Sequence, residues 1–476
     1  MEELGLAGEL VRVEAEVDPA LEVAEITRRV ARSRGPALLF GAVRGHPLPV
    51  LTNLLGAEER ICRALGGRSP QEVALEIAEL LNPSQPVGWL GRIKAPGGAA
   101  LRASAPRTVK TGACQQVVRL GKDVDLTELP ALICRSEEAA PTITAGQVHT
   151  ADPESGMAVV GRYDLRPLGR DQLAVCWSSH DDPAALLSGY CQRKARMPLA
   201  VVLGGDPAGL LAAMAPLPPG GDVSTLTGLL RKKARELVKC RTVELEVPTD
   251  AEIVLEGFLD SDPAEPAAEV GLLGIPGGGC RYCPPAPRMH VTAVTHRANP
   301  VLPAMVPCEL ADEACVVRSA LARILLPLVR LAIPDLVDCE LPAFGAARHW
   351  ALVSIRKSYA GQGRRVAHAL WGLRQTMFVK VMVIVDEEVD VADHAAVWAA
   401  VSSHTDPAGD VFFAAGPPDP MDPAGSGELA QRMAIDATAK LPAECRSPRP
   451  PQGLIPEEID RLVTDRWAEY RLGPDP

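Results

Sequence analysis

The chain contains 476 residues, of which 47% are hydrophobic and 23% are charged, and its formal net charge is −11. This length and composition exclude a disordered or fibrous chain and predict two to four domains, because a domain usually contains about 100–200 residues. The acidic balance argues against nucleic acid as a partner, because proteins that bind the phosphate backbone are usually basic.

The sequence also shows no membrane or export signal. Its most apolar stretch, Ile324 to Val337, contains Pro327, Arg330 and Pro334 and is shorter than the roughly 20 apolar residues of a membrane span. The N-terminal residues lack the basic and apolar regions of a signal peptide. We therefore expect a cytoplasmic protein that makes no use of a membrane and whose 12 cysteines are reduced.

Residues 1–110 combine helix and strand patterns. Apolar residues recur with helical spacing in residues 21–32, 57–65 and 70–81, and the run from Pro36 to Val43 is typical of a buried strand. A segment rich in glycine and proline follows and marks a domain boundary. The sequence therefore predicts an N-terminal α/β domain over residues 1–110.

Residues 111–310 are dominated by short β-branched runs, several of which alternate apolar and polar positions as antiparallel strands do. Helical segments interrupt these runs at residues 182–191, 208–214 and 226–238. We expect a central β-rich domain, either a sheet or a split barrel, that carries a few helices.

Residues 311–476 return to an alternation of helix and strand. The apolar runs 351–356 and 379–386 have the length of buried strands and flank the helical segment 363–376, which indicates a βαβ unit in a C-terminal α/β domain. The last amphipathic segment, residues 457–470, is suited to docking on a neighbouring subunit.

Several residues are candidates for chemistry, and each has a plainer alternative. Cys280 and Cys283 have the spacing of a redox or zinc motif, but no second pair of ligands lies nearby, and two unreactive loop thiols are the alternative. His180 is either a metal ligand or an ordinary loop histidine. The acidic run 386–390 is either a metal site or a solvated strand end, and Lys380 in the same strand is placed to meet a phosphate. Alone, these residues indicate a cytosolic α+β enzyme.

Seven segments of the chain carry a more specific signal because of their order and spacing. They are PALLFGAVRGHPLPVLTNLLGAEERICRALG, MPLAVVLGGDP, VPTDAEIVLEG, MHVTAVTHRANPVLPA, WALVSIRKSYAGQGRRVAHALWG, FVKVMVIVDEEVDV and RMAIDATAKLPAE. Together they span roughly residues 30–445, and the chain resembles the UbiD-type decarboxylases, which use prenylated flavin mononucleotide (prenylated FMN).

This resemblance implies a mixed α+β architecture in three parts: an N-terminal α/β domain, a central flavin-binding domain built on a split β-barrel (residues 111–310), and a C-terminal α/β domain (residues 311–476) with a docking helix. It also implies prenylated FMN supplied by a flavin prenyltransferase, a divalent metal ion (Mn²⁺ or Mg²⁺), K⁺ as a further candidate ion, and a homodimer or hexamer. The implied substrate is a small aromatic or α,β-unsaturated carboxylic acid.

The resemblance also assigns cofactor-binding residues. In the family, an Asn, a His and a Glu hold the metal ion that binds the flavin phosphate. His180 matches the histidine, whereas Val159 and Val223 stand at the other two positions. Valine cannot ligate a hard cation, which prefers oxygen donors, so Asp222, one residue from Val223, is the candidate substitute. Lys380 matches the lysine that binds the phosphate.

The catalytic positions depart from the family in a similar way. The family's arginine falls on Asp164, and Arg162 is the best remaining candidate to bind the substrate carboxylate. At ~4 Å and an effective dielectric constant near ~20, this inversion of charge changes the interaction by several kcal/mol. Of the family's two acids, the first is Glu269 and the second falls on Gly274.

Three functions are compatible with these residues. The first is a non-oxidative (de)carboxylase that uses prenylated FMN and in which Glu269 is the acid/base that protonates the carbon after carbon dioxide has left. The second is a diverged homologue that serves as an accessory subunit beside an intact paralogue, or as a scaffold without the cofactor. The third is different chemistry in the same cavity, since one fold hosts many functions.

Overall fold

The computed structural model describes residues 2–81, 102–218, 220–259, 267–275, 278–308, 312–346, 348–422, 424, 429–444 and 455–470, and the structural statements below concern these residues. No helix among them is both long enough and apolar enough to cross a membrane.

Strands and helices follow each other in three groups along the chain. The strands are β1 Leu10–Val17, β2 Ala37–Val43, β3 Val50–Thr52, β4 Arg107–Val109, β5 Val117–Leu120, β6 Ile143–Ala151, β7 Ala158–Pro167, β8 Gln172–Cys176, β9 Met197–Leu203, β10 Glu236–Lys239, β11 Glu246–Pro248, β12 Ile253–Leu259, β13 Gly271–Gly274, β14 Cys280–Cys283, β15 Arg288–His296, β16 Leu302–Ala304, β17 Leu336–Glu340, β18 Trp350–Ile355, β19 Val381–Asp386, β20 Val411–Gly416 and β21 Ala430–Asp436. The α-helices are α1 Glu2–Leu6, α2 Glu22–Arg32, α3 Glu58–Ala64, α4 Pro70–Leu81, α5 Asp182–Gln192, α6 Pro207–Met214, α7 Val223–Arg231, α8 Glu313–Ala332, α9 Gln362–Trp371, α10 His394–His404, α11 Pro407–Asp410, α12 Glu457–Asp465 and α13 Trp467–Tyr470.

The N-terminal sheet has the strand order β1-β2-β3-β16. Strands β1 and β2 are parallel, β2 and β3 are antiparallel, and β16 joins β3 in parallel. Strand β16 belongs to the sequence region predicted as the central domain. The chain therefore returns to the N-terminal sheet before it enters helix α8, a long-range pairing that the local sequence pattern did not predict.

Six antiparallel strands form a closed barrel in the order β12-β9-β6-β7-β8-β15, because β15 pairs back with β12. Strand β5 pairs antiparallel with the second half of β15, residues 293–296. Large apolar side chains such as Leu165, Leu173, Leu199 and Leu255 are fully buried in one core. The alternating sequence pattern thus produces a closed barrel, and the predicted mixed α+β class is confirmed.

A layer of helices lies beside the barrel. Residues of α3, α4, α6 and α7 share one buried core with the first half of α8. Apolar residues of α8 in this core include Val317, Leu321 and Ile324. This packing fixes one face of α8 against the helices, and the residues between these positions are left to face other parts of the molecule.

The C-terminal sheet has the order β17-β18-β19-β21-β20. Strands β18, β19 and β21 are parallel, and the two edge strands are antiparallel to their neighbours. Helix α9 connects β18 to β19, so the predicted βαβ unit is present.

Aspartates begin five of the helices. The side chains of Asp206, Asp222, Asp312, Asp393 and Asp406 each accept a hydrogen bond from a backbone N–H in the first turn of the helix that follows. Such a cap satisfies N–H groups that have no partner within the helix. Asp222 is one of these caps, and this bears on its predicted role at the metal site.

Candidate active site

A cavity of about 420 Å³ lies between the barrel and helix α8. Its walls include residues 158–164 of β7, residues 215–218 after α6 and residues 374–378 after α9. Helix α8 contributes apolar side chains, among them Leu321, Leu325, Leu326 and Val329. A partly apolar cavity of this size, within the usual range of about 300–1,000 Å³, is typical of a small-molecule site.

Two oppositely charged side chains of β7 face this cavity. Arg162 donates from Nη2 to Oδ1 of Asp164 at 2.6 Å and also to the backbone carbonyl of Thr144. The two side chains are 13% and 10% exposed. They share one face because they lie two residues apart on a strand. Arg162 lines the cavity, but its positive charge is balanced by the neighbouring carboxylate of Asp164.

The positions that match the family's metal ligands also meet at the cavity. Val159, His180 and Val223 all line it. The ring of His180 lies edge-on to Phe378, with centroids 5.8 Å apart. Asp222 is not a lining residue. Its carboxylate accepts hydrogen bonds from backbone N–H groups and a hydroxyl of the first turn of α7, at 2.6–3.0 Å.

These residues do not fit a metal ion. Val159 and Val223 offer only carbon atoms to the cavity. Next to His180, the carboxylate of Asp181 accepts from the backbone N–H and hydroxyl of Ser178, and Asp182 forms an ion pair with Arg374 at 2.6 Å. In the part of the chain that the structure describes, no three His, Cys, Asp or Glu side chains are grouped to hold a metal. The predicted pair of ligands, His180 and Asp222, is not brought together at the cavity.

Lys380 and Glu269 lie outside the set of lining residues. The Lys380 ammonium is paired with Asp422, with Nζ 2.8 Å from Oδ2. Glu269 is exposed to solvent, and its Oε2 accepts a hydrogen bond of 3.4 Å from the Tyr282 hydroxyl. For Glu269 to act as a catalytic acid, it would have to approach the cavity from this position.

Four further arginines line the cavity, and sequence reasoning missed them. They are Arg281, Arg318, Arg348 and Arg374. Arg348 lies 2.6 Å from Asp419 and 4.4 Å from the centre of the Phe378 ring. Arg318 breaks an otherwise apolar run of α8, and a charge in an apolar helix face was the available signal for it.

The place expected for the second acid is occupied by another carboxylate. Gly274 donates its backbone N–H to Oε1 of Glu138 at 2.8 Å, and a Cβ atom at Gly274 would lie only 2.7 Å from that oxygen. Glu138 is buried, and burial raises the pKa of its carboxyl group. Pro307 Cγ would be equally close, at 2.7 Å, so a side chain at position 274 is excluded unless both Glu138 and Pro307 move.

The Cys-x-x-Cys motif is not a loop, because Cys280 and Cys283 form the two ends of strand β14. The buried thiol of Cys283 lies in one cluster with Cys176, a cavity residue, and a hydrogen bond between the two thiols lowers the pKa of Cys283. The spacing of Cys280 and Cys283 did not indicate this neighbour, because strands far apart in the chain bring Cys176 and Cys283 into one buried cluster.

A flavin fits the cavity better than a metal ion does. Apolar walls suit a flat aromatic ring system, and guanidinium groups suit a phosphate, which arginine binds with paired hydrogen bonds. The cavity-lining side chains that would be available to such a group are Arg318, Arg348 and Arg374 together with the ring of Phe378, although Arg348 and Arg374 already pair with aspartates.

Comparisons with protein families identify the class of this fold and cavity. Residues 1–81, 107–310 and 315–437 match the N-terminal, Rift-related and C-terminal domains of 3-octaprenyl-4-hydroxybenzoate carboxy-lyase. The chain therefore belongs to the UbiD family, and the resemblance found in its sequence is confirmed.

Individual relatives cover nearly the whole chain. An uncharacterized protein of Aquifex aeolicus is 36% identical over 478 residues, which is 99% of this chain and 97% of the relative. The UbiD-class enzyme HmfF of Pelotomaculum thermopropionicum, solved in complex with FMN, is 29% identical with a TM-score of 0.76 and 98% coverage of both chains. Vanillic acid decarboxylase of Sedimentibacter hydroxybenzoicus is 25% identical with a TM-score of 0.83, covering 98% of this chain and 97% of the other.

Proposed function

We propose that this chain is a non-oxidative (de)carboxylase of an aromatic or α,β-unsaturated carboxylic acid and that it binds prenylated FMN in the cavity without a metal ion. The observation that supports this proposal is the combination of apolar walls with five arginine side chains around one cavity of the UbiD fold. HmfF, a structural neighbour, binds FMN.

Different residues of the cavity wall would bind different parts of the ligand. The apolar side chains of α8 exclude water and accept a planar ring, and the arginines balance the negative charge of a phosphate or carboxylate. When bound, prenylated FMN supplies an electron sink for the carbon that loses carbon dioxide. A flavin prenyltransferase would supply this cofactor.

Protonation of the product carbon requires an acid near the cavity. Asp164 is the carboxyl group in the wall beside Arg162, and Glu138 lies behind Gly274. Glu269 takes this role only if it moves from its exposed position. We therefore expect Asp164→Asn to lower turnover more than Glu269→Gln does.

The second candidate function is that of an accessory subunit beside an intact paralogue. The absence of grouped metal ligands among the described residues favours it, as does the aspartate at the position of the family's arginine. One vanillic acid decarboxylase structure includes a second component, ShVdcD. The two candidate functions differ in what the isolated chain does.

One experiment separates them. The chain is purified after co-expression with a flavin prenyltransferase, bound prenylated FMN is measured by absorbance and mass spectrometry, and exchange of labelled carbon dioxide into a panel of aromatic acids is followed. Bound cofactor with exchange supports the enzyme. A chain that is empty, inactive and co-purifies with a homologue supports the accessory subunit and refutes the enzyme.

A further inference from the structure

Arg318 differs from three other arginines of the cavity wall. Arg162, Arg348 and Arg374 each form an ion pair with an aspartate at 2.6 Å. Within the described residues, no such pair joins Arg318 to a carboxylate. Its charge is therefore not balanced by a direct contact, although it lies on a long helix packed in the middle of the protein.

The contacts of Arg318 are with neutral groups. Its Nη1 donates to the backbone carbonyl of Ala346 at 3.3 Å, and its Nη2 donates to the sulfur of Met421 at 3.4 Å. Thioether sulfur is a weak acceptor. The guanidinium of Arg318 has five N–H donors, and the carbonyl of Ala346 is the one strong acceptor among these two contacts. The side chain also lines the cavity.

The guanidinium nevertheless stays charged. Burial, and then the nearby charge of Arg348, lower the pKa of Arg318 to about 10, which leaves it protonated at neutral pH. Asp312 caps the N-terminus of the helix that carries Arg318. Its carboxylate accepts hydrogen bonds from the backbone N–H groups of Cys315 and Cys308, at 2.8 and 3.3 Å, and forms no ion pair with Arg318.

Arg318 is partly buried, and a charge that is removed from water without a counter-ion destabilises the folded state. An oxyanion in the cavity would remove that destabilisation, because a guanidinium binds a carboxylate or a phosphate through two parallel hydrogen bonds. Arg281 of β14 lines the same cavity and also has no ion pair within the described ranges, so it is a second donor.

We propose that Arg318 is the anion-binding residue of the cavity and that its ligand is an aromatic compound with an oxyanion group, either the carboxylate of an acid substrate or the phosphate of a flavin. This inference rests on the proposed function for the aromatic part of the ligand. The family's arginine position holds Asp164, so Arg318 would bind the anion from the opposite wall.

Binding to matched pairs of ligands tests this proposal. The full-length protein is titrated with FMN and with riboflavin, which lacks the phosphate, and with 3,4-dihydroxybenzoate and with catechol, which lacks the carboxylate. Arg318→Met is compared with the wild type and with Arg323→Met, a control on the same helix whose arginine pairs with Asp338 outside the cavity. Arg318→Lys, which keeps the charge, is a second variant in case Arg318→Met does not fold.

We expect Arg318→Met to weaken one anionic ligand by about tenfold or more, because hydrogen bonds to charged groups contribute about 1.5–3 kcal/mol. The neutral ligand of the same pair should bind Arg318→Met with the wild-type affinity. Loss confined to FMN identifies the phosphate, and loss confined to 3,4-dihydroxybenzoate identifies the carboxylate. If Arg318→Lys has to be used, a loss of affinity confined to the same anionic ligand supports the proposal.

The proposal is overturned if Arg318→Met binds both anions with the wild-type affinity or if its affinities for anionic and neutral ligands fall equally. It is also overturned if the wild type binds neither anion more tightly than the neutral ligand of the same pair.

Stability gives an independent readout, because ligand-free Arg318→Met should melt at or above the wild-type temperature. Discrimination between these ligands without carbon dioxide exchange would refute the decarboxylase and leave the role of Arg318 intact.

Discussion

Val159 and Val223 determine which cofactor chemistry the cavity wall supports. Both line the same cavity as His180, but neither side chain contains an oxygen or nitrogen atom. His180 and Arg162, which the resemblance assigned to the site, both line the cavity. The resemblance could not place Arg318, since nothing in a short motif reports which residue of a distant helix faces a barrel strand.

Restoring donors at the two valines should create a metal site. Val159→Asn with Val223→Glu adds two oxygen ligands to the cavity that His180 also lines, and a hard cation prefers such ligands. We expect the double variant to bind about one Mn²⁺ per chain by isothermal titration calorimetry, with no binding by the wild type. Val159→Asn with Val223→Gln, which lacks the second charge, is the control. Stoichiometric binding of Mn²⁺ by the wild type would contradict this account.

Glu313 should make the stability of the protein depend on pH. Its carboxyl group is buried, accepts from the Leu55 N–H at 2.7 Å, and has its pKa raised by burial to about 7. The folded state therefore binds a proton that the unfolded state releases between the ordinary value of 4.5 and about 7. Stability falls as the pH rises through this window.

Glu313→Gln should remove that dependence while keeping an oxygen acceptor for Leu55. Urea unfolding at pH 5 and pH 8 measures it. We expect the stability of the variant relative to the wild type to be greater at pH 8 than at pH 5. If the difference in unfolding free energy between variant and wild type is the same at pH 5 and pH 8, Glu313 is charged in the folded protein at both pH values.

The βαβ unit of β18, α9 and β19 was predictable because two apolar runs and one amphipathic segment determine it locally. The addition of β16 to the N-terminal sheet was not, since three residues, Leu302–Ala304, carry no pattern that selects a distant partner. The same limit applies to Cys176 and Cys283, which two separate strands bring together.

Asp222 should behave as a helix cap. Asp222→Ala removes three hydrogen bonds at the start of α7, and loss of a cap usually costs about 1 kcal/mol. Urea unfolding with and without added Mn²⁺ measures the loss, which we expect to be equal in both conditions. A loss that appears only with Mn²⁺ would identify Asp222 as a metal ligand.

The C-terminal helices α12 and α13 leave apolar side chains exposed in the isolated chain. Ile459 and Leu462 are 45% and 46% exposed, and Tyr470 is 38% exposed. The resemblance predicted that this segment docks on a neighbouring subunit, and exposed apolar residues on one helix are the kind of surface that such docking buries.

Charged substitutions there should dissociate a dimer. In sedimentation velocity we expect the wild type to be a dimer and Ile459→Asp with Leu462→Asp to be a monomer at the same concentration, because docking would bury both side chains. Asp460→Asn is the control on the same helix. A variant that stays dimeric would show that the interface lies elsewhere.

The cavity is proposed to bind a flavin by arginine side chains and not through a metal ion. Titration of the purified chain with FMN in the presence of excess EDTA tests this most directly. We predict saturable binding of one FMN per chain with the same affinity in EDTA and in Mn²⁺. Binding that requires Mn²⁺, or no binding in either condition, would contradict it.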